Sequence, residues 1–185
     1  MDNMTSITGE IKAMMDPDAA DTGGEEEAPD RFGAKDASDL TTRNLMDAYS
    51  CTECGRCTAA CPANQTGKLL SPRKIMMDTR DRIAEIGEGK EKEGENFNDG
   101  KSLLGDFITK EELWACTTCQ ACVEECPVGI NPLDIIYQLR RYMILEEADT
   151  PEAWTQMLTS VENNGAPWQL SPDDRFKWAE EFRAS

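Results

Sequence analysis

The sequence predicts an all-α fold, and three features carry that reading. The run C-x2-C-x2-C-x3-C-P occurs twice, as CTECGRCTAACP from Cys51 and CTTCQACVEECP from Cys116. Each run is followed by a proline-led segment with apolar residues at helical spacing. No segment shows the every-second-residue alternation of a half-buried strand, which a compact βαββαβ arrangement would need on both sides of each run. The unit is therefore read as helix, cysteine loop, helix, used twice.

The elements follow in order. Residues 1–40 form a flexible acidic N-terminal segment: MDNMTSITGEIKAMM is a short helix or an extended docking segment, and DPDAADTGGEEEAPDRFGAKDAS is a linker. Residues 41–148 hold the two repeats. The helix before the first run carries a capping signal at Asn44, with Asp47 three residues on; the helix before the second carries one at Thr109, with Glu112 three on. An aromatic residue, Tyr49 or Trp114, stands two places before each first cysteine. Ser71-Pro72 and Asn131-Pro132 read as N-cap and first residue of the helices that follow. The first is predicted over 72–86, with Ile75, Met76, Ile83 and Ile86 on one side and Gly87 as its stop. The second is predicted over 132–147, with Leu133, Ile135, Ile136, Leu139, Tyr142 and Met143 as its apolar face. The polar insert GEGKEKEGENFNDGKS has no periodic apolar pattern and reads as a mobile surface loop. Residues 149–185 form a helical extension. One helix there starts at Thr150-Pro151, turns Trp154, Leu158 and Val161 inward and ends at Asn163-Asn164-Gly165. A second opens at Ser171-Pro172, with Phe176, Ala179 and Phe182 on one face.

Charge and composition exclude several functions. The chain has 185 residues and a net charge of −17. The two segments that carry the cysteines, 41–85 and 101–145, together hold eleven residues of each sign, so the acidity is peripheral. A surface this acidic repels phosphate backbones and makes nucleic acid an unsuitable partner. There is no histidine, which removes imidazole acid–base chemistry, serine–histidine and cysteine–histidine nucleophile pairs and mixed Cys/His zinc sites. No apolar run approaches the ~18 residues of a membrane span, and the N-terminus lacks a signal-peptide core. The sequence thus predicts a cytoplasmic protein.

The eight cysteines decide the chemistry. Cys51, Cys54, Cys57, Cys61, Cys116, Cys119, Cys122 and Cys126 have the spacing of bacterial [4Fe–4S] ferredoxins. Three cysteines two residues apart wrap one turn of backbone round a cubane and aim main-chain N–H groups at its sulfurs. The fourth is carried past that cluster, and the proline after it turns the chain. In two-cluster proteins this fourth cysteine ligates the other cluster. The cofactors read from the spacing are therefore two [4Fe–4S] clusters, one on Cys51, Cys54, Cys57 and Cys126, the other on Cys116, Cys119, Cys122 and Cys61. A disulfide scaffold would be denser in cysteine and secreted. Zinc ribbons use a two-knuckle spacing instead. Free structural thiols would not recur at a 65-residue offset. Asn64 and Gly129 occupy the places a radical-generating C-x3-C-x2-C site would need. No other titratable constellation offers a substrate-turnover site. Folding and cluster formation are expected to be one event. Arg56 beside Cys57 predicts the higher potential for the first cluster.

Residues ~40–150 resemble the α-helical ferredoxin domain of the iron–sulfur C subunits of heterodisulfide reductase and anaerobic glycerol-3-phosphate dehydrogenase, and more distantly that of succinate dehydrogenase and fumarate reductase. The two cysteine runs, Ser71-Pro72-Arg73-Lys74 and Asn131-Pro132 carry the resemblance. RFGAKDASDL, CTECGRCTAACPANQTGKLLSPRKIMMDTRD and APWQLSPDDRFKWAEE are also similar to larger bacterial fusions. In those a membrane cytochrome-like segment precedes this domain and a Cys-Cys-Gly-rich domain follows. The resemblance implies a module that relays single electrons within a heterodisulfide-reductase-like or quinone-linked complex, peripheral to the inner face of the cytoplasmic membrane. Its partners would be a Cys-Cys-Gly-rich catalytic domain, a membrane haem- or quinone-binding protein, or both. The alternative is a cluster-dependent structural or redox-sensing module. This sequence has neither a membrane segment nor a Cys-Cys-Gly motif, so it is expected to be a fragment or a split piece of a larger oxidoreductase.

Overall fold

The structure is a computed structural model, which describes residues 31–183 together with Met15. The N-terminal docking segment and most of the acidic linker read from the sequence lie outside the described residues. The chain divides into two compact units, up to Glu147 and from Ala148.

The first unit is built from two unequal repeats. The first runs through α1 (Thr42–Ser50), a cysteine loop, the short helices α2 (Arg56–Ala59) and α3 (Pro62–Gln65), and α4 (Pro72–Glu93). The second runs through α5 (Lys110–Ala115), a cysteine loop, α6 (Ala121–Glu124) and α7 (Pro132–Leu145). Among the described residues the only β-bridge is an isolated one between Leu104 and Ile108. The fold is all-α, as the missing alternation predicted.

Local chemistry sets the boundaries. Ser71 accepts a hydrogen bond from the Lys74 N–H, and Asn131 accepts from Leu133 and Asp134, each ahead of a proline in the first turn. Both are the caps read from the sequence. Thr109 and Glu112 form the predicted capping box of α5. In α1 the box sits one turn earlier than predicted. Thr41 is the cap, and Asn44 is its reciprocating third residue. Asn44 is wanted elsewhere as well: it is buried and donates 2.7 Å to Asp134 Oδ2 on α7.

The core lies where α4 crosses α1 and α7. Leu70, Ile75 and Met76 from the first repeat meet Ile130, Ile135, Ile136, Leu139 and Met143 from the second, with Leu103, Ile108 and Leu113 between them. Lys74 joins the repeats by reaching Asp78 (2.6 Å), the Phe107 carbonyl (2.9 Å) and the buried Glu112 of α5 (2.9 Å).

Two expectations are corrected here. Gly87 does not stop α4, which continues to Glu93 and is closed by Gly94 at φ 95°. The insert is not a mobile loop either. Arg82, 4% exposed, is gripped by Asp36 and Asp99 and donates to the Lys101 carbonyl at 2.8 Å. Phe97 lies against the buried Gly89. These tertiary anchors outweigh two glycines that cost a helix about 1 kcal/mol each. Asp36 also accepts from the Leu103 N–H, and Ala34 N–H donates to the Gln138 carbonyl at 3.0 Å. The last part of the predicted linker, from Arg31, is therefore folded.

The second unit contains α8 (Glu152–Asn164), a 3₁₀ turn (Pro172–Phe176) and α9 (Lys177–Arg183). Gly165, left-handed at φ 60°, closes α8 as predicted, and Ser171 caps the turn. Trp154, Leu158 and Val161 do not point inward: they are 39%, 37% and 45% exposed. The buried residue of α8 is Ser160. A unit this small buries too little surface to form a core around an apolar stripe.

Candidate metal centre

Both cysteine loops take the same backbone path. In the first, Glu53 (φ 57°) and Gly55 (φ 79°) are left-handed; in the second, Thr118 (φ 59°) and Gln120 (φ 64°) occupy the matching places. A left-handed conformation costs a residue with a side chain about 1–2 kcal/mol, so three such residues mark a backbone held for a purpose. Alternating left- and right-handed residues turn consecutive N–H groups to one side, making an anion-binding concavity of the kind found at Fe–S sites. The N–H groups here point at sulfur. Thr118 N–H donates to Cys116 Sγ and Ile130 N–H to Cys126 Sγ, each at 3.4 Å. The Arg56 N–H pulls the Cys54 thiol below its ordinary pKa.

The eight cysteines gather in two groups that mix the repeats. Cys51, Cys54 and Cys57 line one depression together with Cys126 of the second run, Cys122 at its edge, Met76, Ile130 and Pro132. Cys57 feels the charges of Cys51 and Cys126. Cys116 feels those of Cys61 and Cys119, and Cys122 those of Cys116, Cys57, Cys61 and Cys119. The mixing arises where α2 packs on α6.

The donor chemistry fits a cluster. Burial pushes up the thiols of Cys57 and Cys116, and burial with the neighbouring sulfurs takes Cys122 to about 12. Thiolates in that environment need positive charge brought in, which iron supplies. Among the described residues, no three His, Cys, Asp or Glu side chains converge on the position of one metal ion. The sulfurs are thus not preset for a mononuclear zinc site. The left-handed Glu53, Thr118 and Gln120 carried no signal in the sequence, because none is glycine. Arg140, beside Cys116, was also not singled out. Its only signal was its place, eight residues beyond Pro132, which matches Arg80 beyond Pro72.

Residues 47–130 match the family of 4Fe-4S dicluster domains, and through this stretch the chain belongs to that family. Its eight cysteines are the number that two [4Fe–4S] clusters require. The chain is similar to the "Probable iron-sulfur-binding oxidoreductase FadF" of Bacillus subtilis, 35% identical over 185 aligned residues that take in 84% of this chain and 26% of that protein. It is similar to the EtfAB:quinone oxidoreductase of Syntrophomonas wolfei, at 31% identity over 84% of this chain and 24% of that one. The iron–sulfur relative from the ferredoxin/F(420)H(2)-dependent CoB-CoM heterodisulfide reductase of Methanosarcina acetivorans, its C component, is 36% identical over 58% of this chain and 53% of its own. The chain thus spans about a quarter of the first two relatives and half of the third. It is an iron–sulfur protein related to components of electron-transfer oxidoreductases. Among the described residues no helix is long and apolar enough to cross a membrane.

Proposed function

We propose that residues 41–148 carry two [4Fe–4S] clusters, one on Cys51, Cys54, Cys57 and Cys126 and one on Cys116, Cys119, Cys122 and Cys61, and relay single electrons between two redox partners. The observation that carries this reading is the exchange of the fourth cysteines. Cys126 stands with the first loop and Cys61 with the second, so each cluster ties one repeat to the other and the pair is held close enough for transfer. Each cluster stores one electron; the chain's own residues hold it, aim N–H groups at its sulfurs and exclude water from its inner face. Cys54 and Cys119 are the exposed ligands, and there a donor or acceptor comes nearest. Complete thiolate ligation leaves no iron open to a substrate, so turnover belongs to a partner. The partners we propose are a Cys-Cys-Gly-rich catalytic domain on the substrate side and a haem- or quinone-binding membrane protein on the other, at the inner face of the cytoplasmic membrane. The named activities of the quinone oxidoreductase and heterodisulfide reductase relatives support this reading.

Purified without oxygen, the protein is expected to contain close to eight iron and eight acid-labile sulfide per chain; zinc, or iron for one cluster, would overturn the reading. Cys61→Ala separates the pairing. Its reduced EPR spectrum should match that of Cys116→Ala and differ from that of Cys51→Ala, and the reverse match would show that each run ligates its own cluster.

A further inference from the structure

We infer that Arg140 raises the reduction potential of the second cluster, the one bound by Cys116, Cys119, Cys122 and Cys61, and makes it the electron well of the pair. The inference rests on the two-cluster assignment proposed above. It comes from comparing two arginines at equivalent places in the repeats.

Arg80 stands eight residues beyond Pro72 on α4, and Arg140 eight residues beyond Pro132 on α7. Each reaches back to the cysteine loop of its own repeat. Arg80 meets a carboxylate there: Nη1 donates to Glu53 Oε1 at 2.6 Å, and Nε lies 3.4 Å from Asp81 Oδ1. Its charge is neutralised at the first loop. Arg140 meets main chain. Its Nη2 donates to the carbonyls of Leu113 (2.6 Å) and Cys116 (2.7 Å), and its Nε to Leu113 at 3.2 Å. The guanidinium lies over the Trp114 ring at 5.0 Å from the centroid. No carboxylate of the described residues forms an ion pair with it, and it is half-buried. Guanidinium stays protonated in proteins, so a full positive charge is fixed beside the ligand Cys116.

Reduction adds one electron to a cluster. A nearby fixed cation favours the more negative state, and solvent screens it less the more it is buried. The second cluster has such a cation and the first has a salt bridge in its place. This ordering is opposite to the one that Arg56 suggested from the sequence, and the reason is position. Arg56 is an exposed side chain, open to solvent screening, whereas Arg140 is held against the ligand's own backbone. Electrons entering at the first cluster would therefore collect on the second.

A bland account exists. Arg140 could do no more than satisfy the last carbonyls of α5. Potentials separate the two accounts. In the anaerobic holoprotein, EPR-monitored titration of Arg140→Gln should lower the midpoint of the second cluster by about a tenfold change in its reduced-to-oxidised ratio, ~59 mV for one electron. The first cluster should hold its value. Arg140→Lys should restore most of the shift, because the charge returns. Glu53→Gln frees the charge of Arg80 and should raise the midpoint of the first cluster. An unchanged second midpoint in Arg140→Gln with eight iron retained overturns the inference, as does a lysine variant as low as the glutamine one. If Arg140→Gln loses the second cluster, Glu53→Gln decides: a first midpoint that does not rise overturns the electrostatic account. Wild-type iron content tests the two-cluster assignment separately, so the two failures are distinguishable.

Discussion

At the residue scale, buried charge in this protein is organised by the need to join segments distant in sequence. Glu112 shows how. It is 4% exposed and accepts from the Thr109 N–H at 2.8 Å, the Thr109 hydroxyl at 2.9 Å and Lys74 at 2.9 Å. Burial alone would raise its pKa, but the Thr109 N–H and the Lys74 ammonium outweigh it and hold the carboxyl below the ordinary value. The sign follows: Glu112 contributes stability in full above the carboxylate value of the unfolded chain, and loses it as pH falls through the lower folded value. Glu112→Ala leaves Lys74 facing a gap between the repeats. It should cost about 3 kcal/mol, as breaking a buried pair does, read as a lower midpoint of thermal unfolding. Glu112→Gln should keep the Thr109 contact, and its midpoint should fall less steeply than the wild type's on acidification below pH ~5. The box Thr109/Glu112 was legible in the sequence because it spans three residues. The Lys74 contact was not, since it joins residues 38 positions apart.

At the element scale, short-range signals survived and long-range ones replaced some of them. Ser71-Pro72 and Asn131-Pro132 start their helices where the sequence places them, because a cap and a proline act within one turn. The end of α4 could not be read in the same way. Gly87 and Gly89 are stop signals locally, but Arg82 and Phe97 bind the following residues back onto the helix. Glycine is required elsewhere. Gly33 has φ 77°, and a Cβ there would lie 2.3 Å from the Gln138 carbonyl oxygen and 2.6 Å from the Tyr142 nitrogen. Gly67 has φ 80° with nothing within 4 Å of such a Cβ. Gly33→Ala should therefore cost about 3 kcal/mol, backbone strain plus overpacking, and Gly67→Ala about 1 kcal/mol, strain alone. Thermal unfolding of the two variants side by side checks the difference. Equal losses would mean that the segment from Arg31 is not seated against α7.

At the scale of the whole molecule, the question is how much of the fold stands without iron. The cysteine spacing made the eight candidate ligands legible, but suggested a chain that folds only around its clusters. The structure shows a second source of order. Ile75, Met76, Ile135, Ile136, Leu139 and Met143 form a core between α4 and α7 that uses no cysteine, and Arg82 with Asp36 and Asp99 locks the insert. The cluster loops have no such support. α2, α3 and α6 are four residues each, far below the length at which a helix holds itself in water. Glu53, Thr118 and Gln120 carry left-handed strain, and the thiols they surround are raised by burial and by one another. Chelating the iron therefore removes what holds residues 51–65 and 116–126, while the 22 residues of α4 and the 14 of α7 keep their mutual packing. Hydrogen exchange of the apo-protein should show rapid exchange throughout the two cysteine segments and retained protection at Ile75, Met76, Ile136 and Leu139. Circular dichroism should fall only in part. Complete loss of protection in α4 and α7 would mean that the clusters, rather than the apolar contact between these helices, hold the repeats together.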